Sequence, residues 1–182
     1  MTHRGVCLAV FVVWRQGLRK VPITQNEEQL PEKSDSWLDL EKVAIVEISS
    51  EDPAFPIEHA LGGSSETGET GATGWRAATP GPQRIRLLFD HPQTIRRIQL
   101  HFVDPVSERS QEFSIVAFAG GELRDVARQQ WNFSPQGTTE EREDYKVELN
   151  GVTALELRID PDRSHDPKQS QHFASLERLR LA

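Results

Sequence analysis

Five polar side chains with complementary hydrogen-bonding groups share one alternating parity: Arg109, Gln111, Arg128, Gln130 and Asn132. Guanidinium and amide groups present paired donors and acceptors, which suits vicinal hydroxyl groups on a ligand. Trp75 and Trp131 offer a flat apolar face for the C–H edge of a ring. With Arg76 beside Trp75, the candidate ligand-binding set is Trp75, Arg76, Arg109, Gln111, Gln130 and Asn132. The competing reading is structural: Arg109, Glu112 and Asn132 tie a loop to a hairpin, and both tryptophans are core.

The shared parity depends on one turn. Phe113, Ile115 and Ala117 alternate as a strand, a second strand runs from Arg124 to Phe133, and Gly120-Gly121 lies between them. Two glycines suit a hairpin turn in which both central residues need positive φ. A regular register then sets Ala119 opposite Glu122, Gln111 opposite Gln130 and Arg109 opposite Asn132. It gives the polar set the inward parity of Phe113 and Ile115. A bulge in the second strand would move its members to the other face, and Trp131-x-Phe133 hints at one.

Searches for covalent chemistry return no Gly-x-Ser-x-Gly elbow, no Walker loop and no His-Glu-x-x-His. Gly68, Gly71 and Gly74 lack the dinucleotide spacing and its strand-to-helix setting. Glu140-Glu141 and Glu143-Asp144 sit in a hydrophilic run and read as a solvated face. No catalytic residue and no cofactor is expected, and the chain reads as a non-enzyme. Asp160, Asp162, His165, Asp166 and His172 gather in one loop. Such groups can ligate divalent ions, but the preferred reading is an exposed polar loop without metal. His59, His91 and His101 are single residues, and Asn132-Phe133-Ser134 matches a glycosylation acceptor only by chance.

The elements that must position these residues are strands. From Ile57 to Leu100 a short apolar turn leads through a Gly/Ser/Thr/Glu loop to Trp75-Arg76 and a Pro-Gly-Pro turn. Ile85, Leu87 and Phe89 then alternate with polar neighbours, and Ile95, Ile98, Leu100 and Phe102 continue after a turn at His91-Pro92-Gln93. Alternation bounded by Gly and Pro argues for half-buried strands. Val43, Ile45 and Ile48 mark a first strand. Tyr145, Val147 and Leu149 are followed by Asn150-Gly151, which reads as a hairpin or as a crossover between sheets. Leu155, Leu157 and Ile159 form the next strand, and Leu176, Leu179 and Leu181 close the chain. Many short strands without a long helical period point to an all-β sandwich or barrel.

At 182 residues with a net charge of −7, the chain suits one soluble domain and lacks the basic stripe that non-specific nucleic-acid binding needs. A single cysteine, Cys7, leans toward a reducing compartment, and a cytoplasmic location is expected. The first twenty residues hold Arg4, Arg15, Arg19 and Lys20 and no acid. Their apolar run, Val6 to Trp14, is too short to span a bilayer and lacks a small-residue cleavage site. Residues 1–36 are read as a poorly ordered leader and linker, the leader an artefact of start assignment, and 37–182 as one sandwich domain.

Ala60-Leu61-Gly62-Gly63, Trp75 and Phe89-Asp90 follow in an order that resembles the galactose-binding-like (F5/8 type C, discoidin) β-sandwich superfamily. The resemblance covers roughly Val43 to Leu181 and implies a jelly-roll β-sandwich. It is nearest to small stand-alone bacterial proteins of carbohydrate-binding type. Trp75-Arg76-Ala77-Ala78 is also similar to the opening of the N-terminal domain of the single-strand-break repair scaffold. It implies a non-catalytic module that binds carbohydrate through loops at one end (53–63, 64–76 and 104–112), or alternatively a protein-interaction scaffold. Many members hold calcium through an aspartate after the Ala-Leu turn and a glutamate in the last strand. Here Gly62 and Arg178 stand at those positions, so no calcium is expected.

Overall fold

The computed structural model describes residues 36–62, 73–163 and 171–182. Two short helices, α1 (Leu40–Val43) and α2 (Glu58–Leu61), accompany eight strands: β1 (Ala44–Ile48), β2 (Trp75–Pro80), β3 (Gln83–Val103), β4 (Arg109–Ala119), β5 (Glu122–Phe133), β6 (Glu140–Asp160), β7 (Phe173–Leu176) and β8 (Arg178–Leu181). The main sheet runs β1-β3-β6-β4-β5 with β8 also on β3, and β2 pairs with β7 in a second, two-stranded sheet. All pairings are antiparallel. The fold is all-β, as the alternation predicts, and a jelly-roll sandwich, as the resemblance implies.

Two strands serve both layers. The first half of β3 lies between β1 and the second half of β6, with Ile85 opposite Ile48 and Leu157. Its second half lies between β8 and the first half of β6, with Ile98 opposite Leu181 and Tyr145. Three register shifts between Leu88 and Arg97 mark the passage. The turn expected at His91-Pro92-Gln93 is therefore a bend within one 21-residue strand. Pro92 donates nothing to a ladder and falls in the gap between the paired residues Leu88 and Gln93. Asn150-Gly151 likewise passes along β6 between Leu149, opposite Ile95, and Val152, opposite Gln93; it is the crossover, not the hairpin.

Between the layers, Phe102 stacks on Phe113 with ring centroids 5.2 Å apart. Ile85, Leu87, Ile115, Leu155, Leu157 and Trp75 fill the rest of the core. Period-2 alternation accounts for this: each of these strands turns every second residue inward. Ile45 is a correction to the first-strand reading, since β1 turns it outward and leaves it 63% exposed. Val116 and Ala154 are buried but lie outside the core cluster. They occupy the outer face of the main sheet.

The Gly120-Gly121 hairpin forms as expected, with φ of 61° and 83° and Ala119 opposite Glu122. A β-bulge follows. Ile115 pairs with Ala127 but Val116 with Asp125, so Val126 is an inserted residue. Every partner beyond it moves by one: Gln111 faces Trp131 and Arg109 faces Phe133.

Candidate functional site

That one inserted residue divides the polar set. Arg109 and Gln111 keep the inward parity and are buried, whereas Arg128, Gln130 and Asn132 turn to the outer face. Arg128 donates to Glu112, and Gln130 donates through Nε2 to Ser110 Oγ at 2.8 Å. Trp75 is 1% exposed and belongs to the core, and Trp131 packs partly buried against it. Trp75, Arg109, Gln111, Gln130 and Asn132 are therefore not brought to one surface. Of the candidate residues, Trp75 and Arg76 line an open cleft at the loop end, Arg76 exposed and Trp75 buried.

The cleft has a volume of about 600 Å3 and is walled by Phe55, Arg76, Val106, His172, Phe173 and Glu177, among others. Arg76 reaches it from β2, where its N–H donates to Phe55 O and its carbonyl accepts from Asp52 N. Its guanidinium lies over the Phe173 ring, 5.0 Å from the centroid. Residues a hundred positions apart meet because β2 pairs with β7, Trp75 opposite Leu176 and Arg76 opposite Ser175. Gly74 permits that approach: it has φ of 72°, and a Cβ there would lie 2.7 Å from Leu176 O.

Val106 projects from the opposite wall, 80% exposed. Its loop is held from below. Asp104 Oδ1 accepts from the backbone N–H groups of Val106 (3.2 Å) and Ser107 (2.9 Å). Arg109 Nε donates to Asp104 Oδ2 at 2.6 Å, and Arg109 Nη1 donates to Gln111 Oε1 and Pro161 O. The Arg109 guanidinium also sits 4.9 Å from the Phe133 centroid. Burial pushes the Asp104 carboxyl up, but Arg109 and the two N–H groups outweigh it and hold it below its ordinary value. Arg109 is thus a fastener of the rim loop, the structural alternative that its sequence position left open.

Glu141 lies behind this network, opposite Phe102. It is 1% exposed, and neither carboxyl oxygen has a hydrogen-bond partner among the described residues. Burial and the nearby Glu143 carboxylate push its pKa up to about 7, against the opposing pull of Arg109.

Among the described residues no group of three or more His, Cys, Asp or Glu side chains gathers as a metal site. In the polar loop read from the sequence, Asp162 N donates to Asp160 Oδ1, while His165 and Asp166 lie outside the described residues. Calcium finds no carboxylate at the two positions the resemblance marks. Gly62 caps α2 with its N–H on Glu58 O, and Arg178 stands opposite His101 in β8. These residues do not fit the ion's need for several hard oxygens.

Phe55 and Val106 lie in two of the candidate loops, 53–63 and 104–112, without being singled out there; His172 reads only as part of the polar loop, and sequence reasoning does not name Phe173. The signal for Phe173 was its return to apolar character after the long hydrophilic run from Asp160, but nothing local places it against Arg76.

The structure is similar to a family 32 carbohydrate-binding module of Clostridium perfringens solved with galactose, at 15% identity and TM-score 0.52, over 80% of this chain and 96% of that one. It is also similar to a family 32 module from a family 31 glycoside hydrolase of Clostridium perfringens, at 15% identity and TM-score 0.54, over 80% and 93%. A pectin-binding carbohydrate-binding module matches at 17% identity and TM-score 0.52, over 77% and 90%. No family model matches the sequence, and no curated protein does. At these identities the likeness establishes the fold alone, a β-sandwich shared with these modules.

Proposed function

We propose that this domain is a non-catalytic carbohydrate-binding module whose site is the cleft between the β2–β7 sheet and the rim loop. One observation carries the reading: the exposed Arg76 guanidinium laid on the Phe173 ring in an open cleft, with Val106 opposite. A pyranose has apolar C–H faces and equatorial hydroxyls. Phe173 and Val106 meet the first, and the forked donors of Arg76 meet the second. His172 adds a polar group on the same wall. Neighbours that bind galactose and pectin with this fold support the class of ligand. A shallow cleft makes few bonds and displaces well-bonded water, so binding is weak and selectivity modest.

The test is a glycan array with wild type beside Arg76→Ala and Phe173→Ala. The expected result is a small set of neutral glycans bound by wild type and lost by both variants. A second reading, a protein-interaction surface, has one observation in its favour. Ile45, Leu88, Ala154, Phe118 and Leu123 stand opposite one another in register across β1, β3, β6, β4 and β5 of the main sheet. Failure of every glycan at high protein concentration would transfer the function to that face.

A further inference from the structure

A second cluster lies on the outer face of the main sheet, away from the rim cleft. Arg84 and Arg158 are directly opposite each other in register. Like charges in that relation repel across the ladder. The carboxylate of Glu156, 1% exposed, engages both, accepting a hydrogen bond from Arg158 and forming an ion pair with Arg84. Arg158 Nε donates to Oε1 at 2.6 Å, and Arg84 Nε lies 3.4 Å from the same oxygen. The other oxygen is occupied by Arg86, through Nε at 2.8 Å and Nη2 at 2.6 Å. Glu156 is therefore saturated, and three guanidiniums share one carboxylate.

The consequence is in what remains open. Arg84 and Arg158 each engage Glu156 through Nε, and no acceptor for their terminal amino groups is found among the described residues. Their side chains are 56% and 48% exposed. They face a groove of about 460 Å3 that also includes Ser49 and Pro82. Across the strands the row continues from Arg158 to Ser114 and on to Arg128. At the usual strand spacing, Arg84 and Arg128 stand roughly 14 Å apart.

We propose that this face binds an acidic oligosaccharide lying across the strands, with one carboxylate or sulfate seated on the paired terminal amino groups of Arg84 and Arg158. Two guanidiniums held side by side by a shared carboxylate form a pre-oriented fork for a planar or tetrahedral oxyanion. The oxyanion relieves the repulsion that Glu156 offsets only in part. The groove also carries Glu47, which accepts from Arg86, and Asp160. These acids tolerate anions spaced along a sugar chain and oppose the dense charge of a polyphosphate backbone. The chain's net charge of −7 acts the same way.

The experiment titrates the full chain with three hexasaccharides: sulfated chondroitin, unsulfated chondroitin carrying uronates alone, and neutral maltohexaose. Wild type is expected to bind one or both acidic probes at low salt and to lose them as salt rises. Binding of both assigns the fork to carboxylate, and binding of the sulfated probe alone assigns it to sulfate. The R84K/R158K double variant keeps both charges on Glu156 and removes the forked donors, so acidic binding falls about tenfold with an unchanged melting temperature. Arg84→Gln alone, at an exposed position, lowers it by about threefold and serves if the double variant does not fold. Arg76→Ala leaves it intact, which separates this face from the rim cleft. Equal binding by wild type and R84K/R158K, no acidic probe bound at low salt, or tighter binding of a single-stranded DNA hexamer would each overturn the proposal.

Discussion

Glu141 and Glu156 sit on the same strand, each 1% exposed, and their electrostatic fates are opposite. Glu156 is held below its ordinary pKa: burial pushes it up, but Arg158, Arg86 and Arg84 outweigh the loss of water. Glu141 also loses water, stands near the Glu143 carboxylate and has no donor among the described residues, so its pKa rises to about 7. Depth does not decide whether a carboxylate is charged; the donors around it do. The arginines follow the same logic in reverse. Where the cation is buried, as at Arg109, its donors are committed to Asp104, Gln111 and Pro161 and lock a loop. Where the anion is buried, as at Glu156, the cations keep donors facing outward.

The strongest way to break this contrast is Glu156→Ala. It removes three charge-assisted hydrogen bonds, leaves three partly exposed guanidiniums without their shared acceptor, and should cost about 3 kcal/mol, read from the denaturant midpoint. A variant as stable as wild type would show that the arginines hold themselves apart without the carboxylate. The next effect has the other sign. A raised folded-state pKa at Glu141 means full stability below about pH 4.5 and progressive loss as pH rises through about 7. Glu141→Gln should therefore stabilise the protein by about 3 kcal/mol above pH 7 and by almost nothing at pH 4. Melting temperatures across that range check it, and a gain equal at both ends would refute the titration.

Arg109→Gln sharpens the comparison at intermediate size. It strands the Asp104 carboxylate and should cost about 2 kcal/mol. It also removes the charge that lowers Glu141, so the loss of stability, which still begins near pH 4.5, should continue to a higher pH than in wild type. Loosening the 104–108 loop should weaken glycan binding at the rim as well. The smallest effect belongs to an exposed pair. Arg97 donates twice to Asp144, whose pKa is held at about 2. Both side chains are more than a third exposed, so solvent screening leaves little of that shift as stability. Asp144→Asn should cost roughly 0.5 kcal/mol, resolvable by chemical denaturation in low salt.

The architecture was legible because strands announce themselves locally. Ile85, Leu87 and Phe89 alternate, and Gly120-Gly121 forms the turn that two consecutive positive-φ residues require. What alternation cannot display is an insertion that preserves the look of alternation. Val126 reads as an ordinary strand residue, yet it inverts the faces of Gln130 and Asn132. Pro92 misled in a related way, and Asn150-Gly151 left hairpin and crossover undecided, since a strand that changes layers needs the same residues as a strand that stops. At the rim, Arg76 was within reach of sequence reading through its neighbour Trp75. Its partner Phe173 was not, because their meeting is set by pairing across almost a hundred residues.

The two 21-residue strands that cross between layers carry a consequence for how the domain opens. Neither layer can lose β3 or β6 without dismantling the other, so partial melting of one face has no stable stopping point. Deuterium uptake at the amides of Leu87, Leu100, Leu149 and Leu157 should therefore proceed at a common rate and with one dependence on denaturant. These four positions should report a single opening event for the whole body.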